Sequence, residues 1–249
     1  MSQLDNTEQP PEAPHELPEH RTRTALAYPL KVIVSPLKAF KEITQNPSII
    51  GLILIVGLFL IAAAGQEYAQ ASRIILDDGS QSTVLLNSSL FASNFTLVLV
   101  QSFYRFLLSW IFFAGILFLM TRLLGERSFP MRHFFVVVGY AFSVVVVYGA
   151  ISSLLITTLP QVHFETTVWS SNTREAAQTI QNIINQEWIP TATFSVLNIL
   201  GFVFPFWLML LGSIVLHVSS DTKWVKAVLI SLVAYFASII LTTLLFTLL

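Results

Sequence analysis

The chain contains no cysteine. That excludes disulfide bridges, thiolate nucleophiles and cysteine-ligated metals, and it leaves the redox compartment open. Charge is also scarce. Asp, Glu, Lys and Arg make up 11% of the residues, against roughly 25% in an ordinary soluble domain. So little polar side chain cannot clothe a water-facing surface. The formal net charge of −1 offers no field that would attract nucleic acid. Apolar residues take up the difference: 54% of the chain is hydrophobic and the mean hydropathy is +0.71. With lipid as the solvent, that composition is no longer a liability.

A membrane helix needs about 20 mainly apolar residues to cross roughly 30 Å of hydrocarbon. Five runs meet this test, at about 49–65, 104–124 (with a start as early as Phe95), 134–159, 194–218 and 224–249. They are too long and continuous for strands, and the alternation that marks a membrane barrel is absent. The expected fold is an all-α integral membrane protein, a bundle of about five transmembrane helices preceded by a short amphipathic cytoplasmic helix. A cleaved leader is not expected, because the first apolar run starts only near Ile49. Residues 1–29 read as a disordered cytoplasmic tail, with Pro10, Pro11, Pro14 and Pro18 among acids and few apolar groups.

Basic residues set the expected orientation. Arg21, Arg23, Lys31, Lys38, Lys41, Arg122, Arg127, Arg132, Lys223 and Lys226 fall on one side, ten in all, and Arg73, Arg105 and Arg174 on the other. The positive-inside rule then places the N-terminus in the cytoplasm and Leu249 outside a cell membrane. The long connections 66–103 and 160–193 become outside loops. The sequons at Asn87 and Asn94 both lie in the first of them as possible glycosylation sites. Arg105 would either split the second span or reach to the outer headgroups.

Residues 30–45 form a separate element. Ser35 is placed to cap a helix with Pro36 at its first position. Leu37, Phe40 and Ile43 or Thr44 would share one face, Lys38 and Lys41 the other. Asn46-Pro47 ends the helix. Such a helix either lies on the inner leaflet or packs against the cytoplasmic ends of the bundle. Residues 174–188 also read as a helix, with Ile180, Ile183, Ile184 and Trp188 along a stripe, as an interfacial helix or a cap. Trp169 and Trp188 fit an outer aromatic belt.

No catalytic, cofactor-binding or metal-binding residues emerge. The five runs hold no Asp or Glu, and an intramembrane enzyme or a proton- or sodium-coupled carrier needs such groups. His217 and His133 fall at span ends and His15 and His20 in the tail. His163 with Glu165 is too few for zinc. Within spans, Gly139, Tyr140, Ser143, Asn198, Gly201 and Pro205 read first as helix-packing residues and second as a partner or lipid site. Gly149 with Ser153, and Ala234 with Ser238, are small-residue pairs of the kind that mediates self-association.

The order of these elements resembles the Yip-domain family of Rab/Ypt-interacting proteins, in its prokaryotic-type branch. Four features carry the resemblance over about residues 30–249. They are the stretch Ser35 to Ile43 ending at Asn46-Pro47, the turn Gly125 to Phe129, the run Val137 to Ala141, and five spans with almost no C-terminal tail. The resemblance implies an all-helical five-span domain; that the chain is not an enzyme is expected from its lack of catalytic groups. Eukaryotic members are membrane-traffic adaptors for prenylated GTPases, but their Asp-Leu-Tyr-Gly-Pro stretch is missing here. Similar prokaryotic proteins are mostly of unassigned function, and the resemblance to some of them implies assistance to ABC-type export machinery as an accessory membrane subunit. The expected function is a non-catalytic membrane scaffold or accessory subunit whose partners are the lipid bilayer, another integral membrane protein and, as a homo-oligomer, itself. Its candidate contacts are Pro36, Phe40, Lys38, Lys41, Gly139, Tyr140, Asn198 and Pro205. The alternative is a small permease or channel with a pathway near Asn198, Pro205 and Tyr140.

Overall fold

The computed structural model describes residues 18–126, 130–170 and 174–248. Among them, five helical segments are long and apolar enough to cross a membrane: Ile49–Ala71, Asn94–Leu123, Met131–Ile156, Ala192–Ser220 and Trp224–Thr247. They lie within α3 (Ile49–Ala71), α4 (Ser89–Leu123), α5 and α6 together (Met131–Ala141, Ser143–Ile156), α9 (Ala192–Ser220) and α10 (Trp224–Leu248). The first two run longer than hydropathy alone suggests, because a helix continues into water wherever other elements cover it. α3 passes the expected end at residue 65 and takes in Glu67, so an acid does lie in the first span. α4 runs unbroken through Arg105 and also carries Asn94, so this sequon sits in a helix and not in a loop. The third span is interrupted once, at Phe142, where the Ser143 hydroxyl donates to the Tyr140 carbonyl at 2.8 Å.

Two helices precede the spans. α1 (Pro18–Val34) occupies part of the segment that composition marks as tail. Its order comes from tertiary contact, since Tyr28 and Val32 are buried at 5% and 0% exposure. Residues 1–17 of that tail, and Arg127, Ser128 and Phe129 of the expected turn, lie outside the described residues. α2 (Pro36–Gln45) has the expected bounds, but Ser35 makes no side-chain cap. Its buried face is Ala39, Phe40 and Ile43, while Leu37 is 41% exposed. Those three side chains pack into the bundle core, so of the two sequence readings α2 follows the one in which it closes the bundle end.

A three-stranded sheet of order β2-β1-β3, unexpected from the sequence, covers the opposite end. β1 (Ile74–Asp77) pairs antiparallel with β2 (Ser82–Val84) and parallel with β3 (Val162–Glu165), which tethers the chain after α3 to the chain after α6. Gly79, at φ +86°, makes the hairpin turn, and the Asp78 carboxylate accepts from the Ser80 and Gln81 amides at 2.9 and 2.6 Å. Beneath the sheet, Ile74, Leu76, Val162, Phe164 and Trp188 form a second core. α7 (Thr166–Ser170) leads on to α8 (Arg174–Trp188), whose Ile180, Ile183 and Ile184 pack on that core. Trp188 Nε1 donates to the Pro160 carbonyl at 3.1 Å, so α8 is a cap and Trp188 an interior residue, not part of a belt. The side chain of Trp169 is outside the described residues.

Small residues bring the spans together within one chain. A Cβ on Gly149 would stand 2.9 Å from the Ala62 Cβ, and Ser153 Oγ, bonded to the Gly149 carbonyl at 2.8 Å, also reaches the Ala62 carbonyl at 3.3 Å. On α10, Ala234 and Ser238 are buried, and Ser231 Oγ donates to the Met209 carbonyl of α9 at 2.6 Å. Both small-residue pairs are therefore used in the monomer's own packing.

Replacing Gly149 by Leu should force α3 and α6 apart at a cost of about 1–3 kcal/mol, read as a lower thermal midpoint in detergent. An unchanged midpoint would contradict this contact. In the sheet, Asp77 accepts from the Ser82 hydroxyl and, at 3.1 Å, from His163 Nδ1. These bonds, Ser82 first, hold its carboxyl below the ordinary carboxylate value. A depressed carboxylate contributes stability that is present above about pH 4 and lost as pH falls through the folded value. Amide protection of β1 should therefore drop on acidification below about pH 4, and Asp77→Asn should flatten that dependence.

Candidate functional site

The sequence-derived residues separate into two places. Pro36, Lys38, Phe40 and Lys41 on α2 and Gly139 and Tyr140 on α5 gather at the end of the bundle opposite the sheet, here termed the clamp end. Phe40 and Tyr140 are both fully buried in the same core. The helix before Asn46-Pro47 and the helix after it meet at an elbow, and Tyr140 holds that elbow closed. Its hydroxyl donates to the Ser48 carbonyl at 2.8 Å, just ahead of α3. Its ring meets the Tyr28 ring of α1 edge to face, centroids 5.9 Å apart at 86°.

Glycine makes this approach possible. A Cβ at Gly51 would lie 2.0 Å from the Tyr140 hydroxyl, so α3 must present a bare backbone there. A Cβ at Gly139 would lie 2.5 Å from Leu52 Cδ1. Trp110 of α4 completes the wall, its Nε1 donating to the Phe135 carbonyl at 3.1 Å. Tyr28, Ser48, Gly51 and Trp110 are the members that sequence reading missed. Each is ordinary in its local pattern, and nothing local marks Ser48 as the acceptor for a hydroxyl ninety-two residues away.

Charge around the clamp end is mostly positive. Lys31 of α1 bonds Glu42 of α2 at 2.8 Å, and that bond raises the lysine's pKa above its ordinary value. Lys226 of α10 bonds Glu126 at 3.1 Å. Glu42 and Glu126 are engaged and Asp221 in the α9–α10 turn is exposed, while Lys38, Lys41, Arg132 and Lys223 stay exposed and carry no ion pair among the described residues. Arg122 is also exposed and stands over the Phe118 ring at 5.3 Å. The α9–α10 turn is closed by His217, whose Nδ1–H donates to the Thr222 carbonyl at 2.9 Å while the ring stacks on Trp224. His217 is thus a turn-closing residue.

Asn198 and Pro205 belong elsewhere. Pro205 borders a small apolar cavity with Tyr148, Gly201, Phe204 and Tyr235, between α6, α9 and α10. Asn198 is exposed on the first half of α9. Tyr140, sealed at the elbow, shares no surface with them, so the structure does not assemble the pathway drawn from these three residues. Of the sequons, Asn87 and Asn94 are both exposed, and Asn94 also borders a pocket with Glu67 and Phe91. Among the described residues, no three His, Asp or Glu side chains could hold one metal ion.

The family model described as the Yip1 domain matches residues 30–246. The chain belongs to the Yip1 domain family, and the match begins in the last turn of α1, takes in α2 and reaches nearly the end of α10. Neither a curated protein nor a solved structure matches it.

Replacing Tyr140 by Phe removes the hydroxyl and with it the side-chain donor to the Ser48 carbonyl. The expected cost is about 0.5–1.5 kcal/mol, accompanied by faster proteolysis at Asn46–Ser48. Wild-type cleavage rates in that variant would contradict the clamp.

Proposed function

We propose that the chain is a non-catalytic membrane scaffold or accessory subunit that docks another integral membrane protein at its clamp end. The observation that carries this reading is the way α2 is held. Ala39, Phe40 and Ile43 are sunk into the core at 0–1% exposure, while Leu37, Lys38 and Lys41 face outward on the opposite side of the helix. A rigid basic face with an apolar residue in it suits recognition by a partner that carries acidic groups near the membrane surface. Membership of the Yip1 domain family is consistent with an adaptor role, and the match takes in α2.

The clamp end faces the cytoplasm of a cell membrane, supported by Lys31, Lys38, Lys41, Arg122, Arg132, Lys223 and Lys226 at that end against Arg73 and Arg105 toward the sheet. A non-enzymatic role is supported by what the polar groups inside the spans do. Ser143, Ser153, Ser213 and Ser219 each bond a carbonyl three or four residues back in their own helix, which is packing chemistry. The permease reading lacks comparable support, since Asn198, Pro205 and Tyr140 do not converge.

Crosslinking followed by affinity purification in mild detergent should recover a membrane protein in stoichiometric amount. The double change Lys38→Glu, Lys41→Glu should reduce that recovery about tenfold, a loss of ~1.4 kcal/mol, with unchanged expression and thermal midpoint. Recovery of the chain alone would count against docking, and recovery unaffected by charge reversal would move the docking face away from α2.

A further inference from the structure

Arg105 is a cation inside a span, on α4 eighteen residues before Leu123. A basic side chain on a span is held by headgroups, by a partner or by a polar cavity. No carboxylate pairs with Arg105 among the described residues, and its guanidinium stands over the Phe246 ring of α10 at 5.0 Å from the centroid. Two cavities meet at this side chain. The first, about 540 Å³ between α4 and α10, is polar, with Gln101, Ser109, Thr242, Thr243 and Thr247 on its walls. The second, about 280 Å³, is walled chiefly by Phe59, Phe106, Phe113, Phe142, Leu208 and Tyr235. Arg105, Ser109 and Ile239 line both, so the two adjoin. Thr242, 5% exposed on the wall of the polar cavity, has a buried hydroxyl with no hydrogen-bond partner.

Depth gives the arrangement a direction. At 1.5 Å per residue, Phe246 lies about 33 Å along α10 from Trp224, the far side of a hydrocarbon layer about 30 Å thick. The guanidinium over Phe246 is therefore at headgroup depth on the sheet side. Phe113, two turns further along α4, carries the apolar cavity toward the bilayer centre. A cation and hydroxyls at headgroup level, continuous with an aromatic-lined slot pointing inward, match a phospholipid in its normal orientation. Among the described residues, no acid lines the polar cavity to receive a choline or ethanolamine cation.

We propose that the α4–α10 cleft binds one anionic phospholipid of the sheet-side leaflet. Arg105 takes the phosphate as a forked donor, Ser109 and Thr243 on the cavity wall add hydroxyl hydrogen bonds, and an acyl chain lies along Phe106 and Phe113. The site is separate from the docking face on α2, and the two readings stand or fall independently.

The test is native mass spectrometry of the full chain after delipidation, with phosphatidylglycerol or phosphatidylcholine added back. The expected result is a one-to-one phosphatidylglycerol complex retained at least about tenfold better than phosphatidylcholine. Arg105→Gln should abolish that preference and Arg105→Lys should keep part of it, with α2 still binding its partner. Equal retention of both lipids by the wild-type chain overturns the proposal and needs no variant to fold. Competition by glycerol phosphate as effective as by the lipid overturns it in favour of a free-anion site. Dimerisation that depends on Arg105 overturns it in favour of a second copy in the cleft.

Discussion

The Tyr140 hydroxyl and the Ser48 carbonyl form the contact on which the clamp end depends. A tyrosine inside a span must find an acceptor for its hydroxyl, because an unmade hydrogen bond in an apolar surrounding is expensive. Here the acceptor is the carbonyl of Ser48, the residue that precedes the first turn of α3, which takes the tyrosine hydroxyl on its second lone pair. The bond can form only because Gly51 lets α3 slide beneath the ring. Three elements are thereby fixed at once. α3 is held at its entry to the membrane, α1 is held through Tyr28, and α2 is pressed onto the bundle end.

The third span is the hub around which this happens. Residues 134–144 of it are largely sealed, whereas α3, α4 and α10 each keep much of their surface open to lipid. Without a hydrophobic effect between helices in lipid, close packing at small residues has to supply the attraction. Gly139 against Leu52, Gly149 against Ala62 and Gly212 against Ser231 and Phe113 serve that purpose. At the sheet end the burden shifts to water-type physics, with a second apolar core under three short strands and α8.

Much of the architecture was legible because long apolar runs and a 3.6-residue stripe are local signals. The spans, α2 and α8 could be read from them, although α3 runs six residues past its expected end and α4 begins well before residue 104. What stayed hidden is non-local. β1 and β3 pair across more than eighty residues, and their short runs 74–77 and 162–165 look like loop sequence until they are brought together. α1 passes for tail because its order derives from Tyr28 and Val32 meeting the bundle. The clamp was half visible: Pro36, Phe40, Gly139 and Tyr140 stood out by type, but their partners Tyr28, Ser48 and Gly51 carry no mark of their role. Asn198 stood out for the same reason as Tyr140, being polar in a span, yet it faces outward and has no such partner.

The account's central claim is that α2 belongs to the bundle and not to the lipid surface. Hydrogen–deuterium exchange of Pro36–Gln45, with the chain in vesicles of purely zwitterionic lipid, tests it most directly. A helix sealed by Ala39, Phe40 and Ile43 keeps its amides protected without any anionic headgroup nearby, and that is the result predicted. Protection that appears only when anionic lipid is added would mean that α2 is held by the leaflet through Lys38 and Lys41, and would contradict the clamp.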